Sequence, residues 1–119
     1  MQIVWFKRDL RVEDHAPLAQ AVSSGAVIPL YIIEPMLWAE PDYSKRQYDF
    51  LRETLKELQH ALYSRGQELI IRIGEAEAVF SDLHEQYNVQ TIWSHQETGN
   101  LWTFERDKKI HAWTQKKGI

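Results

Sequence analysis

Apolar and polar positions follow two rhythms along this chain, one suited to strands and one to helices. Gln2-Ile3-Val4-Trp5-Phe6 is a short apolar run that breaks abruptly into Lys7-Arg8-Asp9-Leu10-Arg11-Val12-Glu13-Asp14-His15. A strand ending in such a charge cluster places polar groups at the carboxyl end of a sheet, where open α/β sheets bind ligands. A helix follows, with Asp14 as its cap and Pro17 in its first turn, running through Val22 and closed by Gly25. Val27 to Ile33 is continuously apolar and rich in β-branched residues, the pattern of a strand covered on both faces. Pro29 sits awkwardly there, because proline cannot donate to a ladder.

The segment from Glu34 to Tyr43 reads as a loop, with Pro35, Pro41 and an exposed Trp38. Ser44 and Gln47 form a capping box for the clearest helix. Tyr48, Leu51, Leu55, Leu58 and Leu62 recur every three or four residues and make one apolar stripe, and Gly66 ends the helix. Leu69 to Ile73 is a third strand and Gly74 the turn after it. Glu75 to Gln86 is a helix with Ala76, Val79, Phe80 and Leu83 inward. Thr91 to Ser94 is a fourth strand, Gln96 to Asn100 a polar loop, and Trp102 to Lys117 a last helix with Trp102, Arg106, Ile110 and Trp113 on one side. Strand and helix alternate four times, so the fold class is α/β: a Rossmann-like, three-layer α/β/α arrangement with a parallel sheet and right-handed crossovers. Gly118-Ile119 reads as a turn leading toward a fifth strand, so the sequence is expected to be one domain, residues 1–119, cut slightly short.

Composition narrows the chemistry. At 119 residues and 44% apolar content the chain is long and apolar enough for a real core. It has no cysteine, which excludes disulfides, thiolate nucleophiles and cysteine-held metals. A net charge of −3 with interspersed signs disfavours free-standing nucleic-acid binding. No leader or membrane-length apolar run is read, and the absence of cysteine fits the expected cytoplasmic location. There is no G-x-G-x-x-G after the first strand, no P-loop and no G-x-S-x-G elbow. Histidines 15, 60, 84, 95 and 111 show no i, i+4 metal pair. His60, His84 and His111 read as helix-surface residues, whereas His95 follows the fourth strand at the ligand-binding edge and is a pocket candidate. Asp9, Glu13 and Asp14 read as loop and capping groups that Arg8 and Arg11 can pair. Of five tryptophans, Trp93, Trp102 and Trp113 read as packing residues; Trp38, in a loop, suits either a planar ligand or a lid over the core.

The string Val4-Trp5-Phe6-Lys7-Arg8-Asp9-Leu10-Arg11, with Asp14 three residues on, resembles the opening of the DNA photolyase/cryptochrome family. Ala26-Val27-Ile28-Pro29-Leu30-Tyr31-Ile32 resembles that family's second strand, which often carries a proline. The long helix after Ser44, Ala61-Leu62, Gly66, Glu97 and Arg106-Asp107 extend the likeness over the whole chain. The resemblance implies the family's amino-terminal domain, with sheet order 3-2-1-4 and a fifth strand beyond Ile119. It implies an antenna chromophore, a folate or a deazaflavin, held by Phe6, Lys7, Arg8, Trp38, Glu97 and Asn100. It also implies a partner, a helical domain of the same parent chain that binds FAD and meets damaged DNA; no catalytic residue or metal is expected in this chain. The activity implied for the intact parent is that of a deoxyribodipyrimidine photo-lyase, repairing pyrimidine dimers in light. A cryptochrome-type photoreceptor is the alternative, and a stand-alone α/β nucleotide-binding module a third. Two segments depart from folate-binding members: His95 to Asn100 is longer, and Pro41-Asp42-Tyr43 lacks their polar pattern.

Overall fold

The computed structural model describes residues 1–7, 10–13, 15–38, 45–95 and 101–119. The elements run β1 (Gln2–Phe6), α1 (Ala16–Ser24), β2 (Val27–Ile33), α2 (Pro35–Trp38), α3 (Lys45–Tyr63), β3 (Ile70–Ile73), α4 (Ala76–Tyr87), β4 (Thr91–Trp93) and α5 (Leu101–Lys117). All strand pairs are parallel, in the order β3-β2-β1-β4. β1 pairs on both sides, with Gln2 beside Val27 and Thr91, and every one of its residues is buried.

Side chains of successive strand residues go to opposite faces, and this divides the core in two. Ile3, Trp5, Ile28, Leu30 and Ile32 meet Ala76, Val79, Phe80 and Leu83 of α4 and Ile110 and Trp113 of α5. Val4, Phe6 and Tyr31 meet Leu18 and Ala21 of α1 and Leu51, Leu55, Leu58 and Leu62 of α3. The sheet is therefore the middle of three layers. The α3 stripe is buried as its spacing predicts, with Tyr48 half-buried at its start.

Pro29 is accommodated by register. Gln2 N–H donates to Ala26 C=O and Gly74 N–H to Ile33 C=O, so backbone groups of odd-numbered β2 residues point toward β3. Pairing with β3 starts only at Leu30. The missing donor of Pro29 thus faces a position before the ladder begins.

Local chemistry shifts several boundaries. α1 is capped by His15, whose Nδ1 accepts from Leu18 N–H at 3.1 Å; the expected cap, Asp14, lies outside the described residues, and the helix runs on to Ser24. The expected loop after Glu34 contains α2, a single turn started by Pro35 and closed by Leu37 N–H donating to Glu34 C=O at 3.0 Å. Ser44 of the expected capping box lies outside the described residues, as does the loop 96–100. At the end of α3, Gln67 N–H donates to Leu62 C=O and Gly66 N–H to Tyr63 C=O, with Gly66 at φ +80°. This paired pattern closes a helix through a left-handed residue. Leu69 precedes β3 rather than joining it, yet is buried. Among the described residues, no helix is long and apolar enough to cross a membrane.

Candidate functional site

Parallel strands deliver their carboxyl ends to one edge of the sheet, and here that edge carries a chain of charges. Glu34 directly follows β2 and is buried. Its Oε1 accepts from Arg106 Nη1 at 2.7 Å, with side chains only 7% and 5% exposed for Arg106 and Glu34. Arg106 also holds its neighbour Asp107, through Nε at 3.1 Å and Nη2 at 3.0 Å to Oδ1. The other oxygen of Asp107 meets Lys7 Nζ at 3.3 Å, and Lys7 also donates to His95 C=O at 3.2 Å. Opposite charges alternate from the end of β2 through α5 to the end of β1. Each buried charge has a partner, which the low dielectric of such a place requires.

Aromatic faces reinforce this chain. Lys7 Nζ lies 4.4 Å from the Trp5 ring centre and the Arg106 guanidinium carbon 4.8 Å. The same guanidinium is 5.8 Å from Trp102. Cations against indole faces gain more when desolvated. Arg106 reaches both indoles because it shares one face of α5 with Trp102, Ile110 and Trp113, the face turned toward the sheet. A second stack joins β1, α1 and the end of β4: the His15 ring is 4.9 Å from Phe6 and 4.6 Å from His95.

Two concavities open along this edge, and Glu34 and Arg106 line both. The smaller, about 350 Å³, has Phe6 and Lys7 in its wall, with Leu10, Tyr31, Leu37, Gln47, Phe50 and Thr54 around them. The larger, about 480 Å³, lies between α2, the start of α4 and α5. Both volumes are in the range of small-molecule pockets.

Of the six residues proposed from sequence, the structure brings Phe6 and Lys7 together in the smaller pocket. Phe6 is fully buried, and Lys7 is held by Asp107 and the His95 carbonyl. Arg8, Glu97 and Asn100 lie outside the described residues; Trp38 ends α2, but its side chain also lies outside them. His95 is tied up by the Lys7 bond to its carbonyl and the His15 ring, and lines neither concavity. His60 and His111 are exposed. His84 is half-buried, its Nδ1 accepting from Val89 N–H at 3.1 Å. Trp113 is core, Trp93 donates to Gln2 Oε1 at 2.6 Å, and Trp102 lines the larger concavity. The pairing of Glu34 with Arg106 was missed from sequence. The available signals were a charge set within the apolar stripe of α5 and a carboxylate ending a fully apolar strand. Among the described residues, no cluster of three or more metal-ligating side chains occurs.

Comparison with known proteins agrees with this architecture. A family profile described as DNA photolyase matches residues 2–119. A tomato (Solanum lycopersicum) protein named cryptochrome DASH, chloroplastic/mitochondrial, is 36% identical over 103 residues, covering 81% of this chain and 18% of its own. The crystal structure of a cryptochrome from Synechocystis sp. PCC6803 superposes with a TM-score of 0.92 at 27% identity, covering 100% of this chain and 26% of that one. That of an archaeal photolyase from Sulfolobus tokodaii, which holds two FAD molecules and implicates a novel light-harvesting cofactor, gives 0.86 at 33% identity, covering 100% and 28%. This chain therefore spans less than a third of the length of each of these relatives.

Proposed function

This chain belongs to the DNA photolyase/cryptochrome family, and from that premise we propose that it is the amino-terminal antenna domain of a cryptochrome DASH-type flavoprotein. The tomato and Synechocystis relatives support this reading over that of a classical repair photolyase, the activity expected for the intact parent from the family resemblance. The observation that carries the antenna role is the smaller concavity at the carboxyl edge of the sheet. Tyr31, Leu37 and Phe50 supply apolar walls for a flat ring, and Lys7 and Gln47 supply polar contacts at its margin. Lys7 would meet the chromophore there with the buried Phe6 backing the wall, and Arg8, Trp38, Glu97 and Asn100 are assigned to the same rim by sequence. The chromophore is a folate or a deazaflavin, or a flavin by analogy with the Sulfolobus photolyase. When bound, it absorbs light and passes excitation to a second cofactor; the protein sets distance, orientation and dielectric.

The second cofactor is FAD in a helical domain that packs on this edge, and any contact with damaged DNA runs through that domain. Large apolar residues stand exposed on the helices that leave the edge: Met36 at 70%, Phe50 at 75% and Leu101 at 73%. A helical domain seated on this edge would cover them. The domain acts in the cytoplasm or an equivalent aqueous compartment. Fluorescence titration of the chain with methenyltetrahydrofolate, a deazaflavin and riboflavin tests the antenna reading. One of them is expected to bind, and Thr54→Trp, which fills the pocket from α3, is expected to abolish the binding. No binding by any of the three, or binding untouched by the substitution, contradicts it. Light-driven repair of pyrimidine dimers in duplex DNA by the intact flavoprotein would return the assignment to a repair photolyase.

A further inference from the structure

We propose that the larger concavity is a second, separate ligand site, and that it takes a planar aromatic cation. It lies across the Glu34–Arg106 pair from the pocket assigned to the antenna, and neither Phe6 nor Lys7 lines it. Its apolar part is suited to a flat ring. Met36, Trp102 and Ile110 supply a thioether, an indole and an aliphatic side chain, which pack well on aromatic faces. Gly74, at φ +150°, contributes bare backbone, so no side chain from that position crowds the space.

The charge of the lining selects the sign of the ligand. Four carboxylates, Glu34, Glu75, Glu77 and Glu105, face two cations, Arg106 and Lys109. Arg106 is engaged by Glu34 at 2.7 Å and Lys109 by Glu75 at 3.7 Å. Glu77 and Glu105 then leave the lining negative. The pull of the amino end of α4 on an anion is offset by Glu75 at its cap position and Glu77 in its first turn, although the Glu75 side chain makes no capping bond. A phosphate or carboxylate is disfavoured, a neutral ring is tolerated, and a ring bearing an amidinium or ammonium group gains from both the indole face and the carboxylates.

Three isosteric probes test this: 2-naphthamidine, 2-naphthamide and 2-naphthoate, titrated into the 119-residue chain by calorimetry and amide NMR. The amidine is expected to bind roughly tenfold or more tighter than the naphthoate at low salt, with the amide between them. The gap should shrink at about 0.5 M salt, where the Debye length falls to a few ångströms. Glu77→Gln with Glu105→Gln should bring the three within about threefold of one another. Trp102→Phe should keep the order, and Trp102→Ala should weaken all three. Resonances of Gly74, Ala76, Ile110 and the Trp102 indole N–H should move while those of Leu37 and Thr54 stay. Naphthoate binding as tightly as the amidine, shifts confined to the Leu37–Thr54 side, or no binding at millimolar probe would each overturn the proposal.

Discussion

Replacing Arg106 by methionine removes the charge at the centre of the buried network while keeping a long side chain. Glu34, 5% exposed at its side chain, then loses the guanidinium at 2.7 Å, and Trp5 loses one of the two cations on its ring. Breaking a buried pair by deleting one partner costs about 3–5 kcal/mol, because the other charge stays desolvated. A loss of cation–π contact adds about 0.5–2 kcal/mol. Against a total stability of about 5–15 kcal/mol this leaves a weakened domain. With a urea slope of about 1.5 kcal/mol per molar, the combined loss should lower the midpoint by roughly 2–5 M. Arg106→Lys should lose less, since it keeps the charge but not the forked donors that reach Glu34 and Asp107 together. The double variant Glu34→Gln, Arg106→Met separates pairing from packing: its loss should be smaller than the two single losses summed, by about 1–3 kcal/mol. Tryptophan fluorescence and circular dichroism during urea unfolding read the parent, Arg106→Met, Arg106→Lys, Glu34→Gln and the double variant. Additive losses, or a midpoint for Arg106→Met within about 0.3 M of the parent, would refute the reasoning.

Three further outcomes follow from packing and caps. Leu55→Ala, at the centre of the α3 stripe, should cost about 2–5 kcal/mol in the same unfolding assay; an unchanged midpoint would mean that α3 does not pack on the sheet. His15→Ala should cost about 1 kcal/mol or more by removing the α1 cap and the ring between Phe6 and His95, whereas His15→Asn keeps an acceptor for Leu18 N–H and should recover the capping part; equal losses would discount the cap. Gly66→Ala should cost about 1–2 kcal/mol from backbone strain alone, since no heavy atom lies within 4 Å of the added carbon; thermal melting that shows no loss would place this turn outside the left-handed region.

The fold was legible because its information is local. Val27–Ile33 is apolar from end to end and bounded by turn signals, and the stripe from Tyr48 to Leu62 repeats at helical spacing. What escaped was either too short or too distant. α2 is a single turn of four residues, below the length at which periodicity registers. The α1 cap went to an imidazole, although aspartate is the stronger capping residue by propensity. Glu34 and Arg106 are 72 residues apart, and nothing in either neighbourhood names the other. Only the crossovers, which bring the end of β2 against α5, make them partners. The same holds for the larger concavity, assembled from α2, α4 and α5 without a motif of its own.

The proposed antenna role is tested most directly by the excitation spectrum of flavin photoreduction, measured on this domain joined to the flavin-bearing domain proposed for its parent chain and reconstituted with the chromophore that binds. The account predicts a second band, matching the absorption of that chromophore and lost in Thr54→Trp while the flavin band stays. A spectrum that follows flavin absorption alone, with the chromophore demonstrably bound, would contradict it.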